Sequence, residues 1–136
     1  MISLCKNKPW ANLEILNLAY NGISRLGRTE LFHNSPWKNL EELDLSWNSI
    51  DRGGARSLRD NTSWTKLTKL SLSSNPLKDT AVAALATNKF WVNLQHLSLS
   101  SCWINIKGVE GLGKKTCWKN LQSLNLSSNF IMDRGI

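Results

Sequence analysis

Leucine recurs along this chain in blocks that repeat every 27 positions. WANLEILNLAYNGI, WKNLEELDLSWNSI, WTKLTKLSLSSNPL, WVNLQHLSLSSCWI and WKNLQSLNLSSNFI begin at Trp10, Trp37, Trp64, Trp91 and Trp118, with no insertion between them. Taking each of these tryptophans as position 1, leucine stands at 4, 7 and 9 of every block, Asn or Cys at 12, and Ile or Leu at 14. Positions 7 and 9 alternate with mostly polar residues at 6, 8 and 10, the period of two that marks a short strand with one buried face. Beyond position 14 the period changes. Position 18 is Gly27, Gly54, Ala81, Gly108 or Gly135, and leucine returns at 22 as Leu31, Leu58, Leu85 and Leu112, with Leu4 in the same place ahead of the first block. Apolar residues at 19 and 22, such as Ala55 with Leu58 or Val82 with Leu85, lie three apart and share one face of a short helix.

One strand and one helix per turn dictate the architecture. Successive strands joined through helices run parallel, and a sheet backed by helices curves because helices are wider than strands. The expected fold is α/β, a right-handed solenoid with a curved parallel sheet of five strands on its concave face and short helices or turns on its convex face. One turn alone buries too little apolar surface to offset the ordering of its backbone, so stability must come from neighbours stacking on each other. Two outer segments are expected to be irregular turns. Gly108, Gly111 and Gly113 make the fourth poor helix material, and Arg28 takes an otherwise apolar place in the first.

The stretches LEILNLAYN, LEELDLSWN, LTKLSLSSN, LQHLSLSSC and LQSLNLSSN resemble the leucine-rich-repeat pattern LxxLxLxxN, in which cysteine is admitted at the Asn place. Their continuation through Ile, a small residue at 18 and Leu at 22 resembles the ribonuclease-inhibitor-like, intracellular class, where strand and α-helix alternate. The resemblance implies the fold, and a function no finer than binding another macromolecule, since members inhibit enzymes, recruit substrates, sense ligands or act as bacterial effectors. On this reading residues 1–136 form a single domain, with repeats at 10–36, 37–63, 64–90 and 91–117, a partial repeat at 118–136 and the end of a preceding one at 1–9. Both ends fall inside a repeat without a polar cap. That points to a fragment of a longer array, or to end-to-end pairing between copies.

Composition narrows the setting. Apolar runs are far shorter than a membrane span needs, and residues 1–9 lack the charged start and apolar stretch of a signal peptide. Cys5, Cys102 and Cys117 are an odd number without metal-ligand spacing, so no disulfide framework, zinc site or other cofactor is suggested, and a reducing cytoplasmic compartment, or a host cytosol for an effector, fits best. Cys102 reads as a core variant of the Asn ladder formed by Asn21, Asn48, Asn75 and Asn129, whose amides should satisfy backbone groups left unpaired by the turn. Cys117 is expected beside the buried tryptophan ladder. His96, Ser98 and Asp44 share the strand face, but hydrogen-bond reach across two strands is poor, and no phosphate loop or paired-carboxylate motif occurs, so an enzyme is not expected.

The positions that vary while facing outward carry the functional expectation. Position 6 gives Ile15, Glu42, Lys69, His96 and Ser123, and position 8 gives Asn17, Asp44, Ser71, Ser98 and Asn125. At the strand exits stand Tyr20, Trp47, Trp103 and Phe130, aromatics of the kind that anchor protein interfaces. The candidate partner-binding set is therefore Tyr20, Glu42, Asp44, Trp47, Lys69, His96, Trp103 and Phe130. The concave columns hold Glu14, Glu41, Glu42 and Asp44 against Lys69 alone, a balance of −3, so of the formal net +7 the rest of the chain carries +10. Arg25, Arg28, Arg52, Arg56, Arg59, Lys78, Lys107, Lys114 and Lys115 are placed on the outer side. A protein partner on the concave face and strand-exit loops is the expectation, with no membrane association and little case for nucleic acid there. The alternative is a polyanion, nucleic acid or an acidic surface, on the basic convex face.

Overall fold

The computed structural model describes residues 10–23, 25–34 and 36–132, together with Leu4 and Lys6. Strands β1 (Ile15–Asn17), β2 (Glu42–Asp44), β3 (Lys69–Ser71), β4 (His96–Ser98) and β5 (Ser123–Asn125) alternate with helices α1 (Arg25–Asn34), α2 (Arg52–Arg59), α3 (Lys78–Leu85) and α4 (Ile106–Lys115). The five strands form one parallel sheet in sequence order, and paired residues stand one repeat apart, as in Leu16 with Leu43 and Leu70 with Leu97. An α/β leucine-rich solenoid results, in which each position of the repeat becomes a column running from turn to turn.

The columns at 4, 7, 9, 14 and 22 fill the space between sheet and helices. Leu40, Leu45, Ile50, Leu58, Leu67 and Leu72 are fully buried, and Trp37, Trp64 and Trp91 close that core at the entry to each strand. The Trp91 and Trp118 rings stack with centroids 6.1 Å apart, while Phe32 meets Trp64 edge-on. Trp10, at the first turn, is half-exposed.

Asparagine amides hold the turn after each strand. Asn75 Nδ2 donates to the carbonyls of Leu45, Leu72 and Ser73, and its Oδ1 accepts the Ile50 N–H at 2.9 Å. Asn48 and Asn129 repeat the arrangement, whereas Asn21 is exposed and its side-chain amide donates to Ala19 O. At the fourth place the Cys102 Sγ donates to Leu72 O at 3.2 Å and Ser100 O at 3.4 Å. A thiol offers no strong acceptor, and the Leu77 N–H, which would otherwise bond to an amide oxygen there, turns back to Asn75 O. A further amide row, absent from the sequence reading, joins helix ends to strand entries: Asn88 Nδ2 donates to Leu58 O, Arg59 O and Asn61 O, and its Oδ1 accepts the N–H of Phe90 and Trp91.

Both outer segments expected to be irregular are helical. In α4, Asn105 caps the N-terminus by accepting the Lys107 N–H, and two of the glycines serve packing: a Cβ on Gly108 would lie 2.5 Å from Asp79 Oδ1, and one on Gly111 2.8 Å from Ala83 Cβ. In α1, Arg28 is buried yet partnered, its Nη1 donating to Ser49 O at 2.7 Å and Asp51 Oδ1 at 2.8 Å. Gly54 makes room for it, since a Cβ there would meet Ile50 and the Arg28 side chain. Asp51 also caps α2 by accepting the Gly54 N–H.

Candidate functional site

The sheet face turned away from the helices carries a trough of about 380 Å3, lined by the outward residues of all five strands. Register brings Glu42, Lys69 and His96 side by side in one column and Asp44, Ser71 and Ser98 in the next. Lys69 Nζ donates to Glu42 Oε1 at 2.6 Å, an exposed pair that adds little stability but occupies Glu42. Asp44 Oδ1 accepts the Ser46 N–H, and its other oxygen is open among the described residues. Toward β5 the trough becomes neutral, with Ser73 and Ser98 hydroxyls bonded at 2.7 Å and Ser100 and Ser127 at 3.0 Å. No hydrogen bond joins His96 to Ser98 or Asp44. Among the described residues no group of three or more His, Cys, Asp or Glu side chains is placed to hold a metal ion.

The strand exits hold the least expected feature. Position 11 is left-handed in every turn: Tyr20, Trp47, Ser74, Ser101 and Ser128 have φ between 54° and 60°. The next turn enforces it, because the N–H of each of the first four donates to the carbonyl of Ser46, Ser73, Ser100 and Ser127 respectively. No Gly or Asn marks this position, so the sequence gives no local sign of it. The backbone turn swings the side chains out of the core, and bulky rings there carry a conformational cost of roughly 1–2 kcal/mol.

The consequence is an aromatic ridge. Tyr20 and Trp47 stack with centroids 5.1 Å apart and planes 11° from parallel, yet remain 71% and 54% exposed. Trp103, also left-handed at φ 60°, is 55% exposed. Trp47 and Trp103 line one cleft of about 350 Å3 together with Ser74, Asn75, Pro76 and Ser101. Lys78 lies over Trp103, its Nζ 5.7 Å from the ring centroid, so it belongs to this cluster and not to the helical face where the sequence reading put it. Phe130 is exposed but stands one turn further on, outside the cleft.

Two other placements change. Burial pushes the Cys102 thiol up to about 11, only partly relieved by the N–H groups of Asn75 and Ser74, which leaves it without thiolate character near neutral pH. Cys117 is exposed instead of lying within the tryptophan ladder, because the chain leaves α4 in an extended conformation at Thr116. With Arg28 buried, the basic outer face consists mainly of Arg25, Arg52, Arg56, Lys107, Lys114 and Lys115, all exposed. No described helix is long and apolar enough to cross a membrane.

A family model described as Leucine Rich repeat matches residues 11–32, 38–58, 65–86, 92–113 and 119–136. The chain belongs to the leucine-rich-repeat family. Repeats of this family generally mediate protein–protein interaction. A crystal structure of an internalin (inlF) from Listeria monocytogenes is similar over 92% of this chain at 21% identity and a TM-score of 0.38. The chain spans 45% of that internalin. No curated protein matches it significantly.

Proposed function

We propose that this leucine-rich-repeat chain is a protein-interaction module that seats its partner on the strand-exit ridge and the adjoining trough. The observation that carries this reading is the pair Trp47 and Trp103, large rings held open at left-handed backbone positions around one cleft. Large rings kept in water at a conformational cost find their return when a partner desolvates them. Tyr20, Asp44, Lys69, His96 and Phe130 extend the contact area, with Glu42 acting through its ion pair. We further read the chain as ribonuclease-inhibitor-like in class and as working in a reducing compartment. The small residue at position 18 that lets neighbouring helices approach supports the class, and the exposed free thiol of Cys117 supports the compartment.

The test is capture by the immobilised chain, with Trp47→Ser and Trp103→Gly together. These are the residues that equivalent places already hold in Ser74 and in Gly22, which has φ 53°, so the fold is retained. Partner capture is expected to fall to background and to vary little between about 0.15 and 0.5 M salt. Capture that survives both substitutions and declines steeply with salt would instead assign the work to the basic convex face.

A further inference from the structure

Resting on that reading, we infer that the cleft between Trp47 and Trp103 takes an extended, proline-containing peptide with a basic side chain about three residues from the docked proline. The width comes first. The two tryptophans belong to turns two apart, and neighbouring parallel strands are about 4.8 Å apart, so the walls rise from backbones roughly 10 Å apart. A single extended chain enters such a gap, whereas an α-helix, about 10–12 Å across with its side chains, does not. Tyr20 covers Trp47 from the turn before it and Lys78 lies over Trp103 from the turn between the two walls, which leaves the inner face of Trp47 for a flat apolar group. A pyrrolidine ring on a polyproline II backbone meets that demand and loses little conformational entropy on binding.

Hydrogen bonding selects the same ligand. The hydroxyls of Ser74 and Ser101 make no hydrogen bond within the described protein, and the indole N–H groups of Trp47 and Trp103 are likewise unengaged. The cleft therefore presents two indole donors and two hydroxyls that can donate or accept, and its one amide, Asn75, is committed to the turn. A proline run has open carbonyl acceptors and no N–H of its own. No carboxylate or free amide lines this cleft, so the two serine hydroxyls are its only open side-chain acceptors for a polyhydroxylated ligand.

Charge supplies direction. Asp44 lies three residues before Trp47 along its strand, roughly 10 Å away at about 3.3 Å per residue, and has an oxygen open. Polyproline II advances about 3.1 Å per residue, so a side chain three positions from the docked proline comes level with Asp44. Glu42 is engaged by Lys69, and the Lys78 ammonium at the far wall repels a cation, so Asp44 is the counter-charge.

The experiment measures fluorescence anisotropy of a fluorescein-labelled peptide in which an arginine precedes a run of five prolines by three positions, titrated with the whole chain. Saturable binding is expected, weakened about tenfold or more by Trp47→Ser, by Trp103→Gly, or by replacing the prolines with alanine. Asp44→Asn, or glutamine for the peptide's arginine, should each weaken binding roughly threefold to tenfold, with no further loss when combined. Absence of saturable binding, equal affinity for the alanine peptide, or indifference to both tryptophan substitutions overturns the inference, as does tryptophan-dependent binding of a neutral oligosaccharide such as maltohexaose in its place. Partner capture that needs the two indoles while the peptide fails to bind overturns the peptide assignment alone. Capture that ignores them overturns the site as well. Circular dichroism of each variant confirms that loss of binding is not loss of fold.

Discussion

Asn75 binds three carbonyls and one N–H, and all but its part-buried bond to the Ser73 carbonyl are buried away from water. Asn75→Ala should therefore lower stability by about 2–4 kcal/mol, read from the urea midpoint followed by circular dichroism, although the side chain removed is small. A loss below about 0.5 kcal/mol would mean that the turn is held by other contacts. The role of this column was legible in the sequence, because an amide that recurs once per turn has a repeating task. The row formed by Asn61 and Asn88 was missed, since the column breaks at Lys115 and position 25 lies outside the motif. The left-handed column was also missed: Tyr, Trp and Ser at position 11 carry no conformational signature, and the constraint comes from the carbonyl of the next turn. What sequence did supply at that column was the identity of Tyr20 and Trp47 as outward aromatics.

Among the elements, strand positions followed directly from the alternation of leucine with polar residues, while the outer segments show where propensity is overruled. Helix α4 forms despite three glycines, two of which, Gly108 and Gly111, its neighbour requires for close approach. The two ends of that explanation separate in mutants. Gly113→Ala, with nothing within 4 Å of the new Cβ, should stabilise by roughly 0.5–1 kcal/mol, and Gly108→Ala should destabilise by roughly 1–3 kcal/mol by colliding with Asp79 and Ile104. Thermal melts of the two variants check the opposite signs. At the start of α2, Asp51 is held below the usual carboxylate range, first by the Gly54 N–H and then by Arg28, against the opposing effect of burial. A carboxylate whose folded-state pKa is depressed contributes its full stability above its unfolded value near pH 4, and loses it as pH falls through the lower folded value. Asp51→Asn keeps a capping side chain but leaves Arg28 without its counter-charge, so the variant should be weaker at pH 7 and converge on the parent chain as pH falls through the lowered folded value, in urea midpoints taken across pH. Midpoints that stay a constant distance apart would contradict this.

For the whole molecule, stacked turns make stability a shared property. Leu72 is fully buried in the middle turn, and Leu72→Ala should cost about 2–5 kcal/mol while shifting a single unfolding transition seen alike by circular dichroism and tryptophan fluorescence. Separate transitions would show that the turns unfold independently. The periodic Leu, Trp and Asn made the fold readable at this scale, because they are the scaffold. The binding surface was readable only as a list of aromatic and charged positions. Bringing Trp47 and Trp103 to one cleft, moving Lys78 to its wall and engaging Glu42 with Lys69 required three-dimensional register. The most direct test of this division places the photo-crosslinking residue p-benzoylphenylalanine at Tyr20 or Trp103 on the ridge, and at Arg56 or Lys114 on the helical face, and irradiates the protein with its partner. Adducts from the two ridge positions and none from the helical ones are the expected result, and adducts confined to Arg56 and Lys114 would contradict the account.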